Sequence, residues 1–158
     1  MEHAQQIKFK KNTYYHTYIH TYIQIFTDGS RSEGRVGLGL PIYKSGEIID
    51  TIRCRLSKKR THNQAEQLAI LIALKHIEKI QTTDKRVTIC IDSQTTLDKL
   101  LNSNTHTHTH TRVVEEIRRK ITEMKESEWK ITLCWVKAHA GIRGNEAVDT
   151  LVKRAQNK

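Results

Sequence analysis

The spacing of apolar residues changes part-way along this chain, and the change restricts the folds available to it. From Tyr22 to Leu56, short segments rich in β-branched and aromatic residues alternate with turn residues, which is typical of consecutive strands. From Asn63 to Ile80, apolar residues recur every three or four positions, which predicts a helix. The chain therefore begins as an antiparallel meander and continues with helical segments.

The same patterns predict five strands and four helices. The strands are Tyr22–Thr27 (stopped by a turn at Asp28-Gly29-Ser30), Val36–Tyr43, Ile48–Leu56, Arg86–Ile91 and Lys130–Val136. The helices are Asn63–Ile80, a short segment capped by Ser93 and ending near Leu101, Val113–Glu128 and Gly144–Gln156. Strands that alternate with helices pair in parallel through right-handed crossovers. We therefore expect an α/β fold, in which a five-stranded mixed sheet is flanked by helices on both faces.

Length and charge point to one basic domain. The chain has 158 residues and a formal net charge of +10, and a chain of this length buries one sizeable core. A pI near 9.7 favours polyanionic partners, because binding to a nucleic-acid backbone releases its counterions. Residues 1–21 show no clear period, so we expect a poorly ordered leader or linker there, followed by one domain over 22–158.

The composition also excludes several classes of protein. No run approaches the ~20 apolar residues that a membrane span needs. The first residues contain no apolar block of the signal-peptide type. Cys54, Cys90 and Cys134 are an odd number of cysteines without metal-ligand spacing, which suits a reducing compartment. We therefore expect an intracellular protein, cytoplasmic or nuclear, without membrane attachment.

Four carboxylates stand where they can converge. Asp28 and Asp92 end the first and fourth predicted strands, and sites in α/β sheets form outside the carboxyl ends of strands. Glu66 lies on the apolar stripe of the first helix, and Asp149 lies beside that of the last. Each acid alone has a structural explanation as a turn, loop or helix-dipole residue. Four carboxylates packed together need a cation to neutralise their charge. Oxygen ligands without cysteine clusters favour Mg²⁺ or Mn²⁺ over Zn²⁺.

Five motifs resemble, in order, those of the type 1 ribonuclease H family. They are Thr27-Asp28-Gly29-Ser30, Asn63-Gln64-Ala65-Glu66, Ile91-Asp92-Ser93-Gln94, Trp135-Val136-Lys137-Ala138-His139-Ala140-Gly141 and Gly144-Asn145-Glu146-Ala147-Val148-Asp149. The resemblance extends from about Ile23 to Ala155. It implies a ribonuclease H-like fold and cleavage of the RNA strand of an RNA–DNA hybrid. The loop after His139 is most similar to ribonuclease H domains of reverse transcriptases, including those of non-LTR retrotransposons.

The resemblance also implies roles for individual residues. Asp28, Glu66, Asp92 and Asp149 would hold two Mg²⁺ ions, with Mn²⁺ as the alternative metal. His139 matches a family histidine that aids proton transfer or product release. The residues implied to contact the substrate are Gly29, Ser30, Thr61, Asn63, Gln64 and Gln94. His62 and Gln64 depart from the residues that the family often has at these positions, Asn and Arg.

A basic cluster precedes the first helix and consists of Arg53, Arg55, Lys58, Lys59 and Arg60. Its last three residues lead directly into the segment that carries Glu66, so we expect Lys58, Lys59 and Arg60 to bind the substrate backbone. A solvated loop is the alternative interpretation. The Thr-His repeat at Thr105–Thr111 is interpreted as a low-complexity loop in preference to a metal site.

Three functions fit these observations. The leading hypothesis is a monomeric, retroelement-derived hybrid endonuclease that acts with an attached or separate reverse transcriptase domain. The second is a catalytically silent hybrid- or RNA-binding module on the same fold, which fold alone does not exclude. The third is an integrase-like nuclease. The presence of all four acids and His139 favours the first hypothesis, and Asn63 and Gln94 argue against the third.

Overall fold

The computed structural model describes residues 8–11, 23–32, 35–57, 59, 61–101 and 111–136. Its strands are β1 (Lys8–Lys11), β2 (Ile23–Ser32), β3 (Arg35–Lys44), β4 (Glu47–Leu56), β5 (Arg86–Ile91) and β6 (Lys130–Trp135). Its helices are α1 (His62–Ile77), α2 (Gln94–Leu101) and α3 (Thr111–Glu126). The predicted helix over 144–156 and the Thr-His repeat up to residue 110 lie outside the described residues.

The strands form one mixed sheet in the order β1-β6-β5-β2-β3-β4. β2, β3 and β4 are antiparallel neighbours, whereas β5 is parallel to β2 and β6 is parallel to β5. The predicted α/β fold and its five-stranded mixed sheet are therefore confirmed. The sequence did not predict β1, which extends the sheet by pairing in parallel with β6.

β2 is longer than the sequence predicts. We expected a turn at Asp28-Gly29-Ser30, but β2 continues to Ser32 and pairs with β3 throughout this segment. Asp28 lies opposite Gly39, and Ser32 lies opposite Arg35. The predicted strand end was wrong because pairing with a neighbouring strand overrides the local turn preference of Asp and Gly.

The hairpin between β3 and β4 has the predicted turn. Ser45 and Gly46 have φ values of 53° and 79°, which are the positive angles that a type I′ hairpin turn requires. The β2–β3 register runs from Ile25 opposite Ile42 to Asp28 opposite Gly39 and skips the two positions between, one of which is Pro41. The gap on this side suits a proline, which has no N–H to donate, while Pro41 stays in register with Thr51 of β4.

The main core lies between the sheet and the three described helices. Alternate residues of the central strands, including Ile25, Leu40 and Ile89, are fully buried against α1, α2 and α3. The opposite face has a smaller apolar cluster of Phe26, Cys90, Cys134 and Val136, with Tyr43 packed against it. Because strand residues alternate between the two faces of a sheet, these two clusters show which strand positions face the helices and which face the opposite side.

Side-chain caps fix the first turns of α1 and α2. The Thr61 hydroxyl accepts a hydrogen bond from the Gln64 N–H at 3.2 Å, and Gln64 Oε1 accepts one from the Thr61 N–H at 2.9 Å. This is a capping box, with Gln in the acidic residue's place. Ser93 Oγ accepts a hydrogen bond from the Thr96 N–H at 3.2 Å, as its predicted capping role requires.

Candidate active site

Two predicted site residues lie where the parallel pairing of β2 and β5 ends. Thr27 is in register with Ile91, and Asp28 and Asp92 are the next residues of the two segments. The buried Thr27 hydroxyl donates a hydrogen bond to the Cys90 carbonyl at 3.4 Å, which joins the strands just before the acids. The end of this parallel pairing therefore brings the backbones of Asp28 and Asp92 close together, although Asp28 itself lies within β2.

The end of β6 holds the backbone of Asp92. Trp135 Nε1 donates a hydrogen bond to the Asp92 carbonyl at 3.2 Å. The Val136 N–H donates to the Ile91 carbonyl at 2.9 Å. Trp135 was not among the predicted site residues. No local pattern reveals this contact, because it depends on the register between β5 and β6.

Glu66 is buried beside the start of α2. Its side chain is on α1, which packs against β2 and β3, and it is only 6% exposed. The hydroxyl of Thr96, itself 1% exposed, donates a hydrogen bond to Glu66 Oε2 at 3.2 Å. Thr96 is four residues after Asp92, so this contact links the helix acid to the strand acids. Thr96 was missed because the only signal in the sequence is a threonine following a capping serine.

The donors that the structure describes fit a hard divalent cation. Glu66 and Asp92 supply carboxylate oxygen, and a buried carboxylate beside a neutral hydroxyl gains from a cation. Asp149 and His139 lie outside the described residues. No cluster of three or more His, Cys, Asp or Glu is present within the described ranges.

Most of the predicted substrate residues lie on the elements that carry these acids or just before them. Thr61 and Asn63 are exposed at the start of α1, and Gln94 is exposed at the start of α2. Gly29 and Ser30 are in β2, opposite Leu38 and Gly37. Gln64 uses its side-chain oxygen in the capping box. Lys59 is exposed after β4, whereas Lys58 and Arg60 are outside the described residues.

No helix in the described part of the chain is long and apolar enough to cross a membrane. Several charged residues of the described helices form ion pairs at the surface. Lys120 and Glu78, which join α3 to the end of α1, are one such pair.

The comparisons with known proteins agree with this arrangement. The family model described as RNase H matches residues 20–157. The solved structure of RNase H1 from Halobacterium salinarum is 19% identical, with a TM-score of 0.61 over 86% of this chain and 98% of that chain. The N-terminal RNase H domain of a Mycobacterium tuberculosis protein is 16% identical, with a TM-score of 0.64 over 87% and 95%. LC11 RNase H1, solved with an RNA/DNA hybrid, is 20% identical, with a TM-score of 0.62 over 84% and 98%.

Proposed function

The chain belongs to the RNase H family and is by that membership a ribonuclease, and we propose that it cuts the RNA strand of RNA–DNA hybrids as an endonuclease. The observation that carries the proposal is the position of Asp28 and Asp92 at the end of the β2–β5 pairing, with buried Glu66 linked to this region through Thr96. The fold is shared with an RNase H1 that was solved with an RNA/DNA hybrid, which supports the substrate class.

Two divalent metal ions are part of the proposal. Asp28, Glu66, Asp92 and Asp149 would hold Mg²⁺, with Mn²⁺ as the alternative, since oxygen ligands suit both ions. Such ions activate a water molecule and stabilise the leaving oxygen of a phosphodiester. The protein contributes a fixed backbone at Asp28 and Asp92, because the β2–β5 pairing and the Trp135 indole hold it there.

The remaining proposed roles concern proton transfer and substrate contact. His139 would move protons near neutral pH, which suits an imidazole. Asn63 and Gln94 would contact sugars and bases in the minor groove of the hybrid, since their exposed amides stand at the starts of α1 and α2. Thr61, exposed just before α1, would contact a phosphate of the DNA strand. Gln64 would contribute through its amide nitrogen, because its oxygen closes the capping box.

Backbone contacts complete the proposed substrate site. Gly29 and Ser30 would lie near the scissile strand, since they follow Asp28 in β2. Lys58, Lys59 and Arg60 would bind phosphates beside the start of α1.

We also propose a monomeric, intracellular protein of retroelement origin that works with an attached or separate reverse transcriptase domain. The domain would span 22–158 after a leader.

A cleavage assay tests the proposed function. Labelled RNA–DNA hybrid, double-stranded RNA and double-stranded DNA are incubated with the protein in Mg²⁺ and in chelator. We expect cleavage of the RNA strand of the hybrid in Mg²⁺ alone. Losing an outer partner of a metal ligand costs up to about 100-fold in activity, and losing a ligand itself should cost more. Asp92→Asn should therefore lower the rate by more than about 100-fold.

Control measurements separate an enzyme from a binding module. Asp98→Asn removes an exposed carboxylate from α2 and should leave the cleavage rate unchanged. Hybrid binding by Asp92→Asn without cleavage identifies a catalytic defect. A protein that binds hybrid but never cleaves it in Mg²⁺ or Mn²⁺ is the silent module, and this result contradicts the proposal.

A further inference from the structure

The structure separates two arginines from the rest of the basic cluster. Arg53 and Arg55 are in β4, whereas the lysines and Arg60 follow the strand. The alternate residues Ile52, Cys54 and Leu56 pack against the main core beneath the helices. Because strand residues alternate between faces, Arg53 and Arg55 lie on the opposite face of the sheet, and both are exposed. We call these two residues the β4 arginine pair.

The sheet register relates the β4 arginine pair to the candidate active site. Arg53 is in register with Gly39, which is in register with Asp28. Arg55 is likewise in register with Gly37, which is opposite Ser30. Each arginine therefore lies two strands from a proposed site residue, a backbone separation of about 9–10 Å. Gly39 and Gly37 carry no side chain, so no β3 side chain stands between each arginine and the site residue in register with it.

The charges of the β4 arginine pair are not neutralised within the described residues. Neither arginine has an ion pair there. By contrast, basic residues on β5 and α3 are paired with acids: Arg86 with Asp84, Arg112 with Glu116, Arg119 with Glu123, and Lys120 with Glu78 and Glu123. Exposed, unpaired guanidinium groups are suited to phosphate, which accepts two parallel hydrogen bonds from one arginine.

We propose that the β4 arginine pair is a second substrate-contact surface, which binds backbone phosphates of the hybrid outside the cleavage site. This inference rests on the proposed function. Alternate residues of a strand are about 6.6 Å apart, whereas each phosphate of one duplex strand advances about 3.4 Å along the helix axis, so the two arginines cover about two phosphates measured along that axis. One nucleic-acid strand can thus contact both arginines while the adjoining part of the duplex lies at Asp28 and Ser30.

The salt dependence of hybrid binding tests this surface. Binding of a fluorescent RNA–DNA hybrid is measured by anisotropy, in chelator and over a series of KCl concentrations. The double variant Arg53→Gln, Arg55→Gln should flatten the slope of log affinity against log salt by about 1.4–1.8, because each lost phosphate contact removes about 0.7–0.9. The matched control is Lys75→Gln, Lys79→Gln, which removes two exposed charges at the far end of α1 and should leave the slope within about 0.3.

Three results overturn the inference. The first is an unchanged slope in the arginine variant. The second is no binding of hybrid by the unmutated protein at any salt concentration. The third is an equal loss of slope in the lysine control, which indicates a general effect of net charge. Because binding is measured in chelator, its result is independent of cleavage. Failure of the proposed function appears instead as a lack of Mg²⁺-dependent cleavage by the unmutated protein.

Discussion

At the scale of single residues, Thr96 orients the carboxylate of Glu66 although its own side chain is neutral. Its hydroxyl donates to Glu66 Oε2 at 3.2 Å between two side chains that are almost fully buried. A neutral donor orients a carboxylate without cancelling its charge, so the charge remains to attract a cation. The hydroxyl is itself positioned by the α2 cap, since the Thr96 N–H is bonded to Ser93 Oγ.

Thr96→Val should weaken metal binding while preserving the shape of the side chain. Removing an outer partner of a metal ligand typically costs about 10-fold to 100-fold in affinity or activity, and we expect about 10-fold here. The measurement is Mn²⁺ binding without substrate, together with the Mg²⁺ concentration that gives half-maximal cleavage.

The matched control is Thr96→Ser, which keeps the hydroxyl and loses the methyl group. It should retain metal affinity close to that of the unmutated protein, even where its thermal stability falls. Equal metal affinity in the Val variant and the unmutated protein would show that Thr96 has only a packing role.

At the scale of secondary-structure elements, α3 ends in a strained turn. The Trp129 N–H donates to the Met124 carbonyl at 3.0 Å, and the Glu128 N–H donates to the Lys125 carbonyl at 3.0 Å. These are the two bonds of a Schellman motif, which needs a residue in the left-handed region. Glu128 occupies that position with φ 69°, although glycine adopts it at lower cost.

Glu128→Gly should raise the free energy of unfolding by about 1 kcal/mol, because it removes the steric penalty of a side chain in the left-handed region. Urea denaturation of the two proteins measures the difference. Glu115→Gly makes the same change at an exposed position inside α3 and should lower stability by about 1 kcal/mol. A loss of stability in both variants would contradict the role of the left-handed turn.

At the scale of the whole molecule, Lys120 joins the two longest described helices. Its Nζ lies 2.9 Å from Glu78 Oε2 at the C-cap of α1 and 3.1 Å from Glu123 Oε2 on α3. The hydrogen bond that Lys120 donates to Glu78, together with the one to Glu123, raises the pKa of Lys120 above its ordinary value of 10.5. The stabilisation is therefore fully present below pH 10.5 and is lost as the pH rises through the pKa of the folded state.

Lys120→Met should lower the free energy of unfolding by about 0.5–1 kcal/mol at about pH 8, the range for partly exposed ion pairs. The difference from the unmutated protein should shrink at a pH well above 10.5, as the pH passes the raised pKa of Lys120 in the folded state. Urea denaturation at both pH values measures it. Lys130→Met, at an exposed position on β6, should show no such change with pH. A constant difference for the Lys120 variant would exclude the ion pair as its source.

The predictable part of the fold comes from local patterns. Period-two segments, a type I′ turn at Ser45-Gly46 and the Ser93 cap each depend on residues that are close in sequence, and β5 has the predicted bounds. The expectation that the first and fourth predicted strands are parallel neighbours was right, since β2 and β5 pair in parallel as far as Thr27 and Ile91, just before Asp28 and Asp92. The extension of β2 past Asp28 was not predictable, because its cause is pairing with β3.

The sequence by itself determined the class of fold, the order of its elements from β2 onward and the acids of the candidate site, because periodicity, turn chemistry and motif spacing are properties of neighbouring residues. Only the tertiary structure decided that Thr96 supports Glu66, that Trp135 holds Asp92, and that Arg53 and Arg55 share rows with Asp28 and Ser30. These contacts join residues far apart in the chain, so strand register and helix packing decide them.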